Sequence, residues 1–164
     1  MKTKIRTLPI LFLVILLLAL PLTACEATIT RNANGSLNVQ TSIAQQELQS
    51  TIQSSLADPL ITELNVSLQS GYILVTGQRQ RVNDTSKTDS LSFRLDLGVA
   101  SGHLTAAVSN AQLDGVAVEQ NRVDIWNQTI ANRLENFSQR RPNATLQSVS
   151  ITPDSVTMTW QVTR

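Results

Sequence analysis

Few side chains in this sequence are of the types that do chemistry, and their spacing does not assemble a catalytic site. The 164 residues include one cysteine, Cys25, and one histidine, His103, so the sequence predicts neither a disulfide framework nor a Cys/His metal cluster. No Gly-x-Ser-x-Gly elbow accompanies His103, and nucleophilic catalysis needs a nucleophile beside an oriented base. Asp84 and Asp89 flank Lys87 in a polar stretch typical of a solvated hairpin tip. We therefore expect a protein that is not an enzyme and that uses no cofactor.

The single thiol follows a segment in which positive charges precede a long apolar run. Lys2, Lys4 and Arg6 precede an unbroken apolar run, Ile10–Leu20, which is followed by Leu22-Thr23-Ala24-Cys25. The apolar run is shorter than the ~20 residues that a helix needs to span a bilayer. Its length and the positive charge before it are typical of a secretory signal peptide.

This arrangement resembles the signal peptide of bacterial lipoproteins, whose lipobox consists of Leu, two small residues and Cys. The resemblance implies that the Cys25 thiol receives a diacylglyceryl group, that cleavage removes residues 1–24, and that the new amine is often acylated. Because one acyl chain binds a membrane only marginally, two or three chains make a stable anchor. Glu26 follows the cysteine, which by resemblance favours the outer membrane in a diderm bacterium. In a monoderm bacterium the protein would sit on the outer face of the plasma membrane.

The composition of the remaining chain limits its partners. Removing residues 1–24 leaves ten Lys and Arg against twelve Asp and Glu, so the formal net charge changes from +1 to about −2. Nucleic-acid binding requires a basic surface that neutralises phosphates, and we expect no nucleic-acid partner. The remaining length of about 140 residues suits one domain.

Hydrophobic periodicity predicts two helices and several strand pairs. Apolar residues recur at helical spacing from Ser42 to Leu56 and from Val123 to Phe137. Strict alternation predicts strands between turns at Ser70-Gly71, Asp114-Gly115 and Pro153-Asp154. The sequence therefore predicts an α+β fold in which a curved, mostly antiparallel sheet packs on two amphipathic helices.

The order of the elements defines the expected domain organisation. A signal peptide covers residues 1–24, a lipidated N-terminus with a short tether covers residues 25–35, and a single α+β domain covers residues 36–164. The polar residues 26–35 are also compatible with a first strand. A shift of 82 or 83 positions aligns each helix and its following hairpin, which indicates two helix–hairpin repeats; chance agreement between two ordinary units is the alternative.

Apolar side chains indicate where a ligand could bind. Tyr72 and Leu74 lie opposite Ile73 and Val75, so this strand is apolar on both faces, and we expect another element, a partner or a ligand on each face. Six side chains are candidates to line a cleft for an acyl chain, and filling the core is the alternative. They are Tyr72, Phe93, Leu95, Trp126, Ile130 and Trp160.

A series of motifs follows in a fixed order from Leu64 to Val162. They are Val75-Thr76-Gly77-Gln78, Leu91–Leu97, residues 102–108, Leu113-Asp114-Gly115-Val116, the second helix and the hairpin Ser148–Gln161. Their order and spacing resemble those of the LmeA-like phospholipid-binding proteins and the related YpmS-like membrane proteins of bacterial envelopes. The resemblance implies a TULIP-like domain, in which a curved antiparallel sheet wraps a long helix around an apolar groove, and it transfers no catalytic residue.

The motifs and the resemblance lead to one functional expectation. We expect an envelope lipoprotein, held on the membrane by acylated Cys25, that binds a lipid or another hydrophobic ligand without catalysis. The alternative is a structural or interaction module with a fully packed core, whose polar surface contacts proteins or polymers of the cell surface.

Overall fold

A computed structural model describes residues 27–163 with the exception of residues 34 and 139–142. Cys25, the predicted lipid-attachment residue, lies outside the described residues. The described part of the chain forms two helices and nine strands. In chain order they are β1 (Ala27–Arg31), β2 (Leu37–Ala44), α1 (Gln45–Leu56), β3 (Ile61–Gln69), β4 (Tyr72–Arg81), β5 (Asp84–Ala100), β6 (His103–Leu113), β7 (Val116–Ala117), α2 (Gln120–Ser138), β8 (Ala144–Ile151) and β9 (Ser155–Val162).

The strands form two antiparallel sheets. Sheet A has the order β1-β2-β9-β8 and sheet B has the order β3-β4-β5-β6-β7. The predicted α+β class, the two helices and the antiparallel pairing are confirmed. The strands form two sheets where the sequence predicts one, because β9 pairs with β2 and not with a strand of the first hairpin. Each helix is followed by a hairpin, but the two hairpins belong to different sheets.

The N-terminal segment belongs to sheet A. β1 pairs with β2, with Ile29 opposite Val39, so the fold extends to the N-terminal side of residue 36 and a strand occupies much of the expected tether. β2 includes Ile43, which periodicity assigns to the first helix. Ile43 is 1% exposed and lies opposite Val156. Pairing with a distant strand buries this side chain. Hydrophobic periodicity along the chain gives no information about such pairing.

The polar stretch around Lys87 is strand, where the sequence predicts a hairpin tip. β5 begins at Asp84, and Asp89 pairs with Arg79 of β4. Arg81 Nε donates a hydrogen bond to Asp89 Oδ1 at 2.5 Å. Cross-strand pairs of opposite charge allow this polar segment to continue the sheet.

Both helices and both sheets contribute to one hydrophobic core. α1 and α2 contact each other, α1 packs along β3, and α2 packs along β6. Within the described residues, neither helix is long and apolar enough to cross a membrane. The largest fully buried side chains come from all of these elements: Ile43, Leu48, Ile52, Val66, Ile73, Val75, Phe93, Leu95, Ile130, Leu134, Leu146 and Met158.

Polar side chains of the helices bind backbone groups at the edges of sheet B. Asn127 Oδ1 on α2 accepts a hydrogen bond from the Val108 N–H of β6 at 2.7 Å. Gln49 Nε2 on α1 donates to the Leu64 carbonyl of β3 at 2.8 Å. Unpaired groups at a sheet edge can pair with another chain, so these contacts both orient the helices and protect the edges.

The hairpin tips of sheet B meet β8, an edge strand of sheet A. The Gly71 N–H donates to the Ile151 carbonyl at 3.0 Å, and the Leu146 N–H donates to the Gly102 carbonyl at 2.9 Å. Gly71 lies in the β3–β4 turn and Gly102 in the β5–β6 turn, at the same end of sheet B. These two hydrogen bonds therefore join the sheets at the β8 edge.

Substitution of Gly102 tests this junction. Its φ is +78°, and a Cβ added there would lie 2.5 Å from Thr145 Cγ2 of β8. Gly115 is a matched control, because its φ is +77° and a Cβ would meet nothing within 4 Å. Since only Gly102 lies against β8, we expect Gly102→Ala to lower the free energy of unfolding by about 1–3 kcal/mol more than Gly115→Ala does. Urea denaturation measures both losses, and equal losses would contradict a tight junction.

Candidate functional site on the open face of sheet B

Five of the six candidate ligand-lining side chains lie in the core. Phe93, Leu95, Trp126, Ile130 and Trp160 are at most 5% exposed and belong to one hydrophobic cluster. The ring centroids of Phe93 and Trp126 are 5.6 Å apart. The structure therefore brings these five side chains together, in positions where they pack against the helices and sheets.

The space beside Trp126 is small. A cavity there has a volume of about 10 Å³, no more than one water molecule needs. Its rim includes Asp58 and Arg79, whose Nε lies 2.7 Å from Asp58 Oδ2. Burial raises the pKa of Asp58, but hydrogen bonds from Arg79 and from the Leu60 N–H outweigh it, so this pKa lies below its usual value. The carboxylate stays charged at neutral pH and keeps the ion pair in place.

The sixth candidate, Tyr72, lies on the other face of sheet B. Its neighbours Ile73 and Val75 are buried in the core, whereas Leu74 is 39% exposed. This strand is apolar on both faces, as its sequence indicates, but the Tyr72 side faces solvent. We call this side the open face; it comprises Glu63, Asn65, Tyr72, Leu74, Thr76, Gln78, Ser90, Ser92, Arg94, Asp96, Asn110 and Gln112.

Strand register arranges the polar side chains of the open face in rows. Thr76 of β4 lies between Asn65 of β3 and Ser92 of β5. Gln78 of β4 likewise lies between Glu63 and Ser90 in the next row. Neighbouring strands are about 4.8 Å apart, so hydroxyl and amide groups recur at that spacing across the sheet.

Tyr72, Arg94 and Asp96 form an ordered group on the open face. The guanidinium carbon of Arg94 lies 4.3 Å from the centroid of the Tyr72 ring. Arg94 Nε and Nη2 donate to the two carboxylate oxygens of Asp96 at 2.8 and 2.6 Å. The hydrogen bond from Arg94 holds the pKa of Asp96 below its usual value, and the same bond raises the pKa of Arg94. Bidentate pairing and the cation–π contact together restrict the Arg94 side chain before any ligand binds.

Two adjoining depressions form a groove on the open face. The first has a volume of about 430 Å³ and lies across β3, β4 and β5. The second has a volume of about 330 Å³ and includes Tyr72, Leu74 and Arg94. Ser92 lines both depressions, so they meet at this residue. We call the two together the groove; its hydroxyl, amide and charged side chains can both donate and accept hydrogen bonds along an extended ligand.

A β-bulge shapes the groove at β6. The register shift between Ser92 and Arg94 leaves Asn110 and Ala111 opposite the single residue Phe93. Asn110 has a φ of +53°, a left-handed conformation that asparagine adopts more readily than most residues. Bulges redirect side chains and are frequent beside binding sites. Here Asn110 lines the groove while Ala111 faces the core.

His103, the only imidazole in the sequence, lies at the start of β6. Its Nδ1 is 2.8 Å from Glu135 Oε1 on α2. Glu135 Oε2 accepts a hydrogen bond from the Leu104 N–H at 3.3 Å, so this carboxylate links α2 to β6. No three His, Cys, Asp or Glu side chains among the described residues are placed to hold a metal ion.

No protein-family model, curated protein or solved structure matches this chain. Sequence reasoning identified Tyr72 and Leu74 but missed Arg94 and Asp96. Arg94 and Asp96 are two residues apart on a predicted strand, so their side chains lie on the same face. The sequence therefore contained enough information to predict their contact. The bulge at Asn110 depends on pairing between strands and has no comparable sequence signal.

Removing the Arg94 guanidinium tests the order of the group on the open face. We expect Arg94→Met to raise the pKa of Asp96 toward the ordinary 3.8, because the carboxylate loses its hydrogen-bond donor. An NMR titration of the carboxyl carbon measures this shift. Arg133→Met is the control, since Arg133 bonds to Ser54 between the helices and should leave the pKa of Asp96 unchanged. A low pKa retained in Arg94→Met would contradict the observed pairing.

Proposed function

We propose that this protein is a lipid-anchored lipoprotein of a bacterial envelope that binds a polysaccharide chain in the groove, without catalysis. The observation that supports the proposal is the ordered Tyr72–Arg94–Asp96 group, which lies beside rows of amide and hydroxyl side chains on a solvent-exposed sheet face. The cavity beside Trp126 is too small for a ligand, and this also favours the open face over that part of the core.

The chemistry of the groove suits a hydroxyl-rich chain. Adjacent sugar hydroxyls both donate and accept hydrogen bonds, as the Ser, Thr, Asn and Gln side chains of the groove do. Arg94 and Asp96 offer planar donors and acceptors and neutralise each other, so neither favours a strongly charged ligand. Tyr72 and Leu74 supply apolar surface for the carbon-bound hydrogens of a sugar ring.

The anchor completes the proposed mechanism. Acylated Cys25 would keep the groove at the membrane and raise its effective concentration near envelope polymers. Many anchored copies on one polymer chain bind with an avidity above that of a single groove, so each contact can be weak and reversible. The proposed protein thus links membrane and polymer without chemical change to either.

Sedimentation with insoluble cell-wall glycan tests the binding function. We expect the full lipoprotein in detergent micelles to sediment with the glycan, and Tyr72→Ala or Asp96→Ala to weaken binding about tenfold, which corresponds to about 1.4 kcal/mol. Arg81→Ala is the matched control, because it removes the ion pairs of Arg81 with Asp89 and Asp114, which lie outside the groove. Equal binding by all three variants would contradict a role for the groove.

The second candidate function is binding of a lipid or another hydrophobic ligand, as the resemblance to LmeA-like and TULIP-like proteins implies. The convergence of Phe93, Leu95, Trp126, Ile130 and Trp160 in one cluster favours it. The cavity beside Trp126 is too small for an acyl chain, so such a chain would enter there only if α2 separated from sheet B. This second candidate function also implies that a sheet curves around α2. It implies in addition that the domain arose by duplication of a helix–hairpin unit.

Lipids with brominated acyl chains distinguish the two candidates. Trp126 and Trp160 are the only tryptophans, and both are buried. If the interior stays closed, their fluorescence is unchanged when these lipids are titrated into the detergent-solubilised protein, and native mass spectrometry finds no bound ligand. Strong quenching would favour the second candidate, and Trp160→Phe would then show whether the acyl chain reaches Trp126.

A further inference from the structure

We infer that the β1 edge of sheet A lies directly against the lipid headgroups of the membrane that holds the anchor. Sheet B and its groove then face away from that membrane. This inference rests on acylation of Cys25, which is part of the proposed function, and it adds the orientation of the domain and the surface that contacts lipid.

The short length of chain between the anchor and the fold is the first argument for this orientation. Glu26 alone separates Cys25 from Ala27, the first residue of β1. Consecutive Cα atoms are 3.8 Å apart, so the Cα atoms of Cys25 and Ala27 are at most about 7 Å apart. Acyl chains on Cys25 must enter the bilayer, so this short connection holds the start of β1 close to the headgroups. A flexible linker of many residues would leave the domain free to rotate.

The composition of sheet A is the second argument for this orientation. Among its four strands the one charged side chain is Arg31, at the end of β1 farther from the anchor. Contact with headgroups removes water from a surface, and this costs less for hydroxyl and amide groups that find new hydrogen bonds than for charges. On β1 itself, Thr28 and Thr30 are exposed and alternate with Ile29, so this edge strand presents hydroxyl groups and no charge before Arg31.

An exposed apolar side chain on β1 is the third argument for this orientation. Ile29 is 54% exposed, and β1 is the outermost strand of sheet A. An edge strand with an exposed apolar side chain invites pairing with other chains. Apposition to the bilayer covers this edge and places Ile29 in the interfacial region.

Sheet topology then determines where the groove lies. β1 and β8 are opposite edges of sheet A, and the hairpin tips of sheet B join at β8. Three strand spacings separate the two edges, which is about 14 Å. If β1 lies on the membrane, the junction with sheet B lies at the far edge of sheet A, about that distance from the headgroups.

Fluorescence quenching at two sites tests the orientation in the full lipoprotein. Acylation occupies the only natural thiol, so Thr28→Cys and Val82→Cys each supply one free thiol for a fluorophore. Both positions are exposed; Thr28 lies on β1 and Val82 in the β4–β5 turn of sheet B. In phosphatidylethanolamine–phosphatidylglycerol vesicles that contain a headgroup nitroxide lipid, we expect quenching of the Thr28 label to be several-fold stronger.

Equal quenching at the two sites, or stronger quenching at Val82, would overturn the inferred orientation. Circular dichroism of both labelled variants establishes that they are folded. A mass spectrum of the membrane-purified protein separates two failures: absence of the diacylglyceryl mass on Cys25 would overturn the anchor and this inference with it. Acylated protein without preferential quenching would overturn the orientation alone.

Discussion

Two backbone hydrogen bonds, from Gly71 to Ile151 and from Leu146 to Gly102, hold the hairpin tips of sheet B against β8. With the sheets joined at this edge, the helices fill the space beside them and one core forms from both sheets. The other surfaces of the sheets stay available: the open face of sheet B and the uncharged face and β1 edge of sheet A. The surfaces that we connect with function are therefore those that the junction leaves uncovered.

The two sheets differ in electrostatic character, and this difference suits separate partners. Sheet A carries Arg31 as its one charged side chain, whereas sheet B carries ion pairs on β4 and β5, including Arg94–Asp96 on the open face. Headgroup contact favours a neutral polar surface, since desolvating a charge costs more than desolvating a hydroxyl. Polymer recognition benefits from planar donors and acceptors whose positions are already restricted. Anchor, sheet A, junction and groove would then follow one another outward from the membrane.

Sequence patterns predicted the elements that depend on neighbours along the chain. Both helices and the turns at Ser70-Gly71, Asp114-Gly115 and Pro153-Asp154 follow from local periodicity and turn chemistry. The errors concern Ile43 and the division into two sheets. Ile43 is buried because β2 pairs with β9, where it lies opposite Val156, more than a hundred residues away. Since a strand or a helix could bury an isoleucine equally well, its apolar character alone does not predict which element it belongs to. The six ligand candidates were chosen as apolar, and five of them fill the core, where most apolar side chains lie.

The sequence by itself determined the resemblance of residues 1–25 to a lipoprotein signal peptide, the scarcity of catalytic groups, the α+β class and the two apolar faces of the Tyr72 strand. All of these follow from residue type and short-range spacing. Only the tertiary structure decided that Tyr72 faces solvent beside Arg94, that a bulge turns Asn110 into the groove, and that β1 and the junction with sheet B lie at opposite edges of sheet A. Strand pairing decides these features, and it joins residues far apart in sequence, so alternation shows that a strand has two faces but not what covers each one.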